Sequence, residues 1–551
     1  MKFGSLLCAL AALLLFSVCR VDGQKRTDVY AIVNARIVTV AGPPIEKGTV
    51  VVRDGLIESV TADGAAAKIP ADARVIDGAG LTVYPGFIDA LTNLALPAPQ
   101  PAPVPQRGQT APPPTGPVSN SNYPTGLQPE VSAAEQLKGG DAQFETVRAN
   151  GFTTALTVPR DGIFNGRSAL IDLAGDAVSD FVVKTPVAEH FTFRTGPFGV
   201  YPSSLMGTFA AFRQMLLDAK RLAEWRKLYA ANPKGLKRPD ADRSLEALFP
   251  VVDGTLPVVF NANTEREIVR VLDLVKEFRL NAMIAGGQEA WKVAARLKEQ
   301  NVAVLLSLNF PRRTAAASPD ADPEDLETLR FRAETPKCAA RLAQAGVRFA
   351  FQSGGLANPA DFFANAAKTT ENGLSTEAAL RAMTLDTARL FGVDNVTGSI
   401  EAGKIANLTV VRGDIFAKER TITHVFVDGR LFEPKEKPKT PTAPNSNAPA
   451  VANVGGNYSI TVEIPGQSVG GTLALTQQGA LLTGTLTTDH TGSAPIRDGK
   501  VTSDGFSFAA TVDFGGSQIE LDVTGKVAGD RISGTIATPQ GAIPFSGTKN
   551  P

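Results

Sequence analysis

Short apolar runs alternate with stretches of helical periodicity between about residue 85 and residue 391. Four of the runs are clear: Pro257–Phe260, Asn281–Ala285, Val302–Leu308 and Val347–Phe351. Between the first two, Thr264–Glu267 has the sequence of a capping box, and apolar residues then recur every three or four positions. This alternation of strand and helix predicts βα units and a parallel sheet or barrel.

The segments on either side of this region have the period of two that is typical of strands. Residues 28–84 contain several β-rich runs, and Asp54-Gly55 between two of them predicts a tight hairpin. Residues 398–434 return to the same pattern. We therefore assign residues 85–397 to the barrel region and the two flanking segments to a β-domain.

The C-terminal part of the chain has a different pattern. Residues 435–455 are rich in Pro, Lys, Thr and Asn and are interpreted as a linker. From residue 456 to residue 551, alternating Thr, Ser, Val and Ile are interrupted by glycine-rich turns. Six strands are clear: Tyr458–Ile464, Gly471–Leu475, Leu481–Thr487, Phe506–Val512, Ile519–Val523 and Ile532–Ile536. The pattern predicts an all-β antiparallel domain, either a small barrel or a meander.

The N-terminus and the composition restrict the cellular context. Lys2 and the apolar run Ser5–Val18 predict a signal peptide over residues 1–23, and hence a periplasmic or secreted protein without a transmembrane span after cleavage. Lys plus Arg and Asp plus Glu both number 55, which argues against nucleic acid as an obligatory partner. After cleavage Cys338 is the one remaining cysteine, so no intramolecular disulfide can form. The oligomeric state is left open.

A stretch rich in Pro, Gln, Ser and Gly follows the first apolar run of the barrel region. It covers residues 95–128 and is predicted to be a flexible insert. In a barrel, the loops that follow the strands surround the active-site face, so this insert either covers the mouth or is a passive insertion.

Three motifs stand out: Pro85-Gly86-Phe87-Ile88-Asp89, Gly151-Phe152-Thr153-Thr154, and the run Gly398–Leu408, which reads GSIEAGKIANL. They resemble the amidohydrolase superfamily, in particular its imidazolonepropionase-like and prolidase-like branch. The resemblance implies an α/β fold, with a distorted TIM-type barrel and a composite β-sandwich built from residues 28–84 and 398–434.

The same resemblance implies hydrolysis of C–N bonds by one or two divalent metal ions, usually zinc, held at the carboxyl ends of the barrel strands. The family places two histidines after the first strand, one on each of strands five and six, and an aspartate on strand eight. At the corresponding positions this chain has no histidine or aspartate: Leu91, Asn93, Asn261, Gly286 and Gly354. Lys184 is a weak match to the bridging lysine that some members have on strand four.

Because leucine and glycine have no donor atom and asparagine is a weak neutral ligand, no metal cofactor and no catalytic residue are expected here. Asn263, Gln352 and Ser353 are further pocket candidates. Together with the asparagines they predict a neutral cavity for an uncharged polar small molecule. We interpret His190, which stands in an apolar run beside Glu189, as a structural residue.

The functional hypothesis is thus an exported amidohydrolase-like protein without a working metal centre, which binds a ligand or acts as a scaffold. The alternatives are a C–N hydrolase with an unconventional site, and a barrel that only supports the C-terminal domain. Whether the chain is an enzyme stays open at this point.

Overall fold

The computed structural model describes residues 29–62, 68–97, 123, 126–140, 142–195, 202–312, 324–354, 356, 358–434, 454–464, 467–488, 492–502, 505–514, 517–538 and 541–550. Most of the proposed insert, most of the linker and the whole predicted signal peptide lie outside these residues. The chain divides into two compact units, residues 1–435 and 436–551, and each is described by itself.

The first unit contains eighteen described strands: β1 (Tyr30–Ile37), β2 (Ile45–Arg53), β3 (Leu56–Ala62), β4 (Arg74–Asp77), β5 (Leu81–Pro85), β6 (Phe87–Thr92), β7 (Phe152–Thr157), β8 (Phe164–Arg167), β9 (Ala169–Asp172), β10 (Val182–Lys184), β11 (Glu189–Thr192), β12 (Val258–Ala262), β13 (Ala282–Gly286), β14 (Ala303–Ser307), β15 (Phe349–Gln352), β16 (Leu408–Arg412), β17 (Thr421–Val427) and β18 (Arg430–Phe432).

Its described α-helices are α1 (Ala133–Gln136), α2 (Gln143–Ala149), α3 (Val178–Phe181), α4 (Leu205–Ala231), α5 (Arg243–Ala247), α6 (Phe249–Val252), α7 (Glu265–Phe278), α8 (Ala294–Glu299), α9 (Leu326–Glu334), α10 (Cys338–Gln344), α11 (Asp361–Glu371), α12 (Thr376–Arg381) and α13 (Leu385–Phe391). Short 3-10 turns precede α8 and α10, at Ala290–Val293 and Thr335–Lys337.

Strands from both flanks of the barrel region join in one eight-stranded sheet, in the order β18-β17-β16-β5-β1-β2-β3, with β4 paired to β1. The antiparallel pair β5–β16 connects the two flanks, with Val83 opposite Val410. The Asp54-Gly55 hairpin is confirmed: both residues have positive φ, 53° and 81°, as a two-residue turn between antiparallel strands requires. The composite character expected from the resemblance is therefore present.

The barrel is distorted and has two irregular seams. One sheet has the order β10-β9-β7-β6, and the other has the order β15-β14-β13-β12-β11-β8. Strands β11 to β15 run parallel, as do β6 and β7. At one seam the hairpin β8–β9 takes the place of a third parallel strand. At the other seam the carbonyls of Ala382 and Met383 accept from Phe351 and Ile88, between β15 and β6.

The two sheets surround one apolar interior, so they function as halves of a single barrel. Its buried residues come from both sheets: Ile88, Leu156, Leu170, Ala188, Val259, Met283, Leu305 and Ala350. Helices cover the outside. The capping box of α7 is confirmed, since Thr264 accepts from the amide of Glu267 and the Glu267 side chain accepts from the amide of Thr264. The α/β fold class is thus confirmed.

One helix differs from its sequence pattern. The helical pattern over 374–391, with Ser375 near its start, predicts a single capped helix. The structure splits it into α12 and α13, because the chain turns at Ala382–Thr384 to supply the two carbonyls of the barrel seam. The cap is present, with Ser375 accepting from the amide of Ala378. No described helix has both the length and the apolar character that a membrane span requires.

The second unit is a closed antiparallel barrel of eight strands: β19 (Gly456–Ile464), β20 (Gln467–Gln478), β21 (Leu481–Thr488), β22 (Gly492–Thr502), β23 (Gly505–Phe514), β24 (Ser517–Ala528), β25 (Arg531–Thr538) and β26 (Gly541–Lys549). Its interior is filled by side chains such as Tyr458, Leu473, Leu486, Phe508, Val523, Ile536 and Phe545. The sequence pattern leaves the choice between barrel and meander open, and the pairing of β19 with β26 resolves it.

Candidate functional site

A cavity of about 380 Å³ opens at the carboxyl ends of the barrel strands. In parallel barrels this end carries the residues that contact ligands, because the loops that follow the strands meet there. The cavity is lined by Leu91, Asn93, Val158, Pro159, Arg160, Asp161, Asn165, His190, Phe191, Thr192, Arg194, Val259, Asn261 and Ala285.

Three of the five family ligand positions, Leu91, Asn93 and Asn261, are in the cavity wall. The Asn93 amide donates to the carbonyl of Val158 at 2.6 Å, which fixes its orientation and leaves its oxygen as an acceptor. Asn261 is exposed, and its side chain has no hydrogen-bond partner among the residues that the structure describes. The wall therefore presents neutral amides where the family has imidazoles.

Gly286 ends β13 next to the cavity residue Ala285, in a backbone conformation that disfavours any side chain. Its φ is +92°, in the region that L-residues rarely adopt. A Cβ at this position would lie 2.2 Å from Oδ1 of Asn263, so that amide occupies the space into which a side chain would project. The candidate Asn263 thus lies against Gly286 and is absent from the cavity lining.

Gly354 follows β15, and a buried side chain occupies the space beside it. A Cβ there would lie 2.3 Å from Oε1 of Gln352 and 3.3 Å from Cδ2 of Leu91. Gln352 is held in place, because its Oε1 accepts from the amide of Gly354 at 2.7 Å. The sequence candidates Gln352 and Gly354 therefore stand next to Leu91, behind the cavity wall.

The candidate Ser353 is tied to a buried carboxyl group. Its amide donates to Oδ1 of Asp89 at 3.0 Å, and the amide of Leu91 donates to the same oxygen. Burial raises the pKa of Asp89 to about 6, against the opposing effect of these hydrogen bonds. Ser353 does not line the cavity. Its contacts hold β15 against β6 and do not indicate a nucleophile.

His190 was interpreted as structural, but it lies in the cavity wall. It stands on β11, which occupies the fourth position of the barrel, and its ring is 3% exposed. Its Nε2 is buried and has no hydrogen-bond partner in the described part of the chain. Burial lowers the pKa of His190 to about 3, so the ring is neutral. Since β11 has only four residues, its sequence pattern is too short to reveal which side chains face inward.

Lys184 is not the strand-four residue. It ends β10, at the edge of the other sheet, and its Nζ donates to the carbonyl of Phe391 at 2.7 Å. A cation at the last carbonyls of a helix is a common stabilising arrangement, and here it caps α13. The resemblance drawn for Lys184 therefore does not correspond to a cavity residue.

The rim of the cavity is charged, in contrast to its interior. Arg160, Asp161 and Arg194 line it and are exposed. Asn165 holds the rim to β11: its Oδ1 accepts from the hydroxyl of Thr192 at 2.6 Å, and its amide donates to the carbonyl of Asp161. These two polar residues are thus paired with protein groups, unlike His190 and Asn261.

A second polar network lies at the opposite end of β7, away from the cavity. Asp172 Oδ1 accepts from the hydroxyl of Thr154 at 2.7 Å and from the amide of Asn407 at 2.9 Å. Burial raises the pKa of Asp172 to about 7. Asn407 stands where the family motif has aspartate, and its amide is a donor that a carboxylate could not supply. This network joins the barrel to the eight-stranded sheet.

The donor set does not fit a divalent metal ion. Zinc and similar ions require several imidazole, thiolate or carboxylate ligands, whereas the cavity wall supplies one imidazole, three asparagine side chains and the carboxylate of Asp161 at the exposed rim. Among the described residues, no three His, Cys, Asp or Glu side chains are grouped closely enough to hold a metal. No catalytic step through a metal follows from this geometry.

Comparisons with known proteins agree with the fold. Residues 268–432 match the model of the amidohydrolase family. An amidohydrolase from Thermotoga maritima MSB8 is 24% identical, covers 74% of this chain and 100% of its own, and superposes with a TM-score of 0.60. A prolidase complexed with N-methylphosphonate-L-proline is 17% identical (74% and 100% covered, TM-score 0.45). An Xaa-Pro dipeptidase with bound methionine is 16% identical (74% and 100%, TM-score 0.43).

A search of curated proteins finds no match. The family model and the Thermotoga structure confirm the resemblance to amidohydrolases. At this level of identity they show the fold alone, and the activity has to be argued from the cavity itself.

Proposed function

From the amidohydrolase fold of this chain, we propose that the protein binds an uncharged polar small molecule in the barrel cavity and does not carry out metal-dependent hydrolysis there. Members of this family typically use divalent metals. The proposal therefore separates the fold of this protein from the chemistry that usually accompanies it.

The proposal rests on the local structure at Gly286 and Gly354, two of the positions where the family has metal ligands. At Gly286 the positive φ disfavours a side chain, and at Gly354 the buried Gln352 fills the space. At these two positions the backbone conformation or the packing disfavours a ligand side chain, in addition to the change of residue type. Leu91 adds an apolar group in the cavity wall itself.

The cavity supports binding of a neutral ligand. Its inner wall combines the apolar Leu91, Val259 and Ala285 with the polar side chains of Asn93, Asn261 and His190. Mostly apolar cavities with a few polar groups that fix orientation are typical of small-molecule sites. The charged groups are confined to the rim, where water screens them.

Metal analysis of the purified full chain tests the absence of a metal centre. After incubation with zinc and dialysis, we expect substoichiometric zinc and no chelator-sensitive hydrolysis of dipeptides or cyclic amides. One zinc per chain, together with hydrolysis that chelation abolishes, would contradict the proposal.

Binding is tested by calorimetry with a panel of uncharged amides and alcohols, with a variant that fills the cavity. Leu91→Trp should abolish binding, because the larger ring occupies the cavity volume. The matched control is Leu481→Trp, the same substitution at an exposed leucine of the C-terminal unit. Binding that survives in Leu91→Trp would place the ligand elsewhere.

We also infer export, with the C-terminal barrel as an attachment or recognition module. The support is the predicted signal peptide, which lies outside the described residues, and the side-chain-filled interior of that barrel, which leaves its outer surface for contacts. Fractionation of the host cells tests this: a cytoplasmic, uncleaved chain would refute export. Deleting residues 436–551 should release the remaining unit from the cell surface; unchanged retention would refute the module role.

A further inference from the structure

His190 is the most deeply buried polar side chain in the inner wall of the cavity. Its Cα neighbours across the sheet are Val259 on β12 and Gly166 on β8. The inward-facing Leu91, Val259 and Ala285 are apolar and cannot pair with an imidazole. The Nε2 atom of the ring is therefore buried and has no hydrogen-bond partner among the described residues.

An unpaired buried polar atom requires a physical explanation. Leaving a buried donor or acceptor without a partner costs the folded protein the desolvation free energy of that group. Phenylalanine or leucine would fill this position without that cost, as Leu91, Val259 and Ala285 do beside it. The buried Nε2 of His190 therefore destabilises the unbound protein. A bound molecule can remove this cost by forming a hydrogen bond with the imidazole after the ring rotates.

A second unpaired polar group lies on the neighbouring strand. Asn261 stands two residues beyond Val259, the partner of His190, so both side chains face the cavity from adjacent strands. A neutral imidazole has one N–H donor and one acceptor nitrogen, and an amide has both kinds of group. None of the described residues in this part of the wall carries a full charge, so a charged ligand group would be desolvated there without a counter-ion from them.

We propose that His190 and Asn261 together anchor the inner end of the ligand, and that this end is an uncharged group with a hydrogen-bond donor beside an acceptor, such as a carboxamide or lactam. This inference rests on the proposed function and deepens it. His190 acts as a binding residue in it, with no proton transfer.

The first test is nuclear magnetic resonance of the full chain labelled with ¹⁵N only in histidine. The protein has three histidines, so His424 and His490 serve as internal references. The probe is 2-pyrrolidinone, which has the lactam edge. A fragment of this size is expected to bind with a Kd of roughly 1 mM. Saturable shifts of the His190 ring nitrogens, without shifts of the other two rings, are the expected result.

The outcomes separate this inference from the function on which it rests. Probe binding that Leu91→Trp abolishes, but that leaves the His190 resonances unchanged, would overturn the anchor and leave the ligand site standing. If 2-pyrrolidinone does not bind while other uncharged molecules do, the lactam class is wrong. If no member of the panel binds, the proposed function itself fails.

The second test uses variants. His190→Phe removes both nitrogens and keeps a planar ring, and it should weaken probe binding at least about tenfold, the equivalent of one lost hydrogen bond. His424→Phe is the matched control: it is the same substitution on β17 of the eight-stranded sheet, outside the cavity lining, so affinity should change little. An unchanged Kd in His190→Phe would refute the anchor. If His190→Phe does not fold, the Kd of the probe for His190→Gln and the His190 ring-nitrogen shifts of the wild-type protein test the anchor instead.

Discussion

Replacing Gly286 by alanine tests whether the backbone conformation at this position disfavours any side chain, in addition to glycine itself having no ligand atom. The backbone contribution is the cost of placing an L-residue at φ +92°, about 1–2 kcal/mol. The steric contribution comes from the overlap with Asn263, whose Oδ1 lies 2.2 Å from the new Cβ. Asn263 is exposed, so its side chain can rotate away for about 0.5–1.5 kcal/mol or less. We therefore expect the backbone to provide the larger part.

Two other glycines separate these contributions. Gly254 has φ +80° and nothing within 4 Å of a Cβ, so Gly254→Ala measures the backbone cost alone. Gly354 is outside the positive-φ region, and its Cβ would meet the buried Gln352 at 2.3 Å. Gly354→Ala thus measures the displacement of a hydrogen-bonded side chain, about 1–3 kcal/mol. Adding Asn263→Gly to Gly286→Ala should restore only a small part of the loss.

The assay is urea unfolding followed by tryptophan fluorescence. Both tryptophans, Trp225 and Trp291, belong to the first unit, so the signal reports that unit alone. The reasoning is refuted if Gly286→Ala costs less than about 0.5 kcal/mol while Gly254→Ala costs its full 1–2 kcal/mol. In that case the backbone at position 286 would tolerate a Cβ, and the loss of the ligand would be a change of residue type alone.

Three further predictions concern the buried network and the C-terminal barrel. The pKa of Asp172 is about 7 in the folded protein, against an ordinary value of 3.8, so the unfolded chain loses this proton at lower pH. Stability should therefore fall as pH rises between these values, by up to about 1.4 kcal/mol per pH unit, and Asp172→Asn should remove this fall in urea titrations at pH 5 and pH 7.5. An equal fall in the variant would contradict the assignment. Asn407→Asp places two carboxyl groups in contact, and it should cost about 3–5 kcal/mol at pH 8 but less at pH 5, where Asp172 keeps its proton; equal losses at both pH values would count against it. Gly534→Ala brings a Cβ to 2.1 Å from the backbone carbonyl of Thr524, which cannot rotate away, so calorimetry should show a loss of about 1–3 kcal/mol in the C-terminal unit. A loss below about 0.5 kcal/mol would show that the contact does not matter.

Much of the fold is readable from the sequence, because the responsible signals are local. The Asp54-Gly55 turn and the Thr264 capping box each lie within a few residues, and both are present as predicted. Two C-terminal strands escape prediction for a physical reason: β22 contains Pro495 and a bulge at Asp498, and β26 contains Pro544, which are features that normally interrupt a strand.

The cavity is less readable, because its properties depend on contacts through space. The motifs locate Leu91 and Gly354, but the sequence does not predict that the Gln352 side chain folds back onto the amide of Gly354, or that Leu91 lies beside this position. The positive φ of Gly286 is equally hidden, since glycine adopts either sign of φ. His190 is the clearest case: the identity of its neighbours on β8 and β12 determines its environment, and those residues lie 24 and 69 positions away in sequence.

Closure of the C-terminal barrel brings its first and last strands side by side, with Tyr458 opposite Lys549. The entry and exit points of this unit are therefore neighbours in space. A short peptide can join them, and new termini can be opened in a hairpin turn such as that at Gly529-Asp530 without breaking any ladder of hydrogen bonds. The unit can therefore be inserted into a surface loop of another protein or circularly permuted.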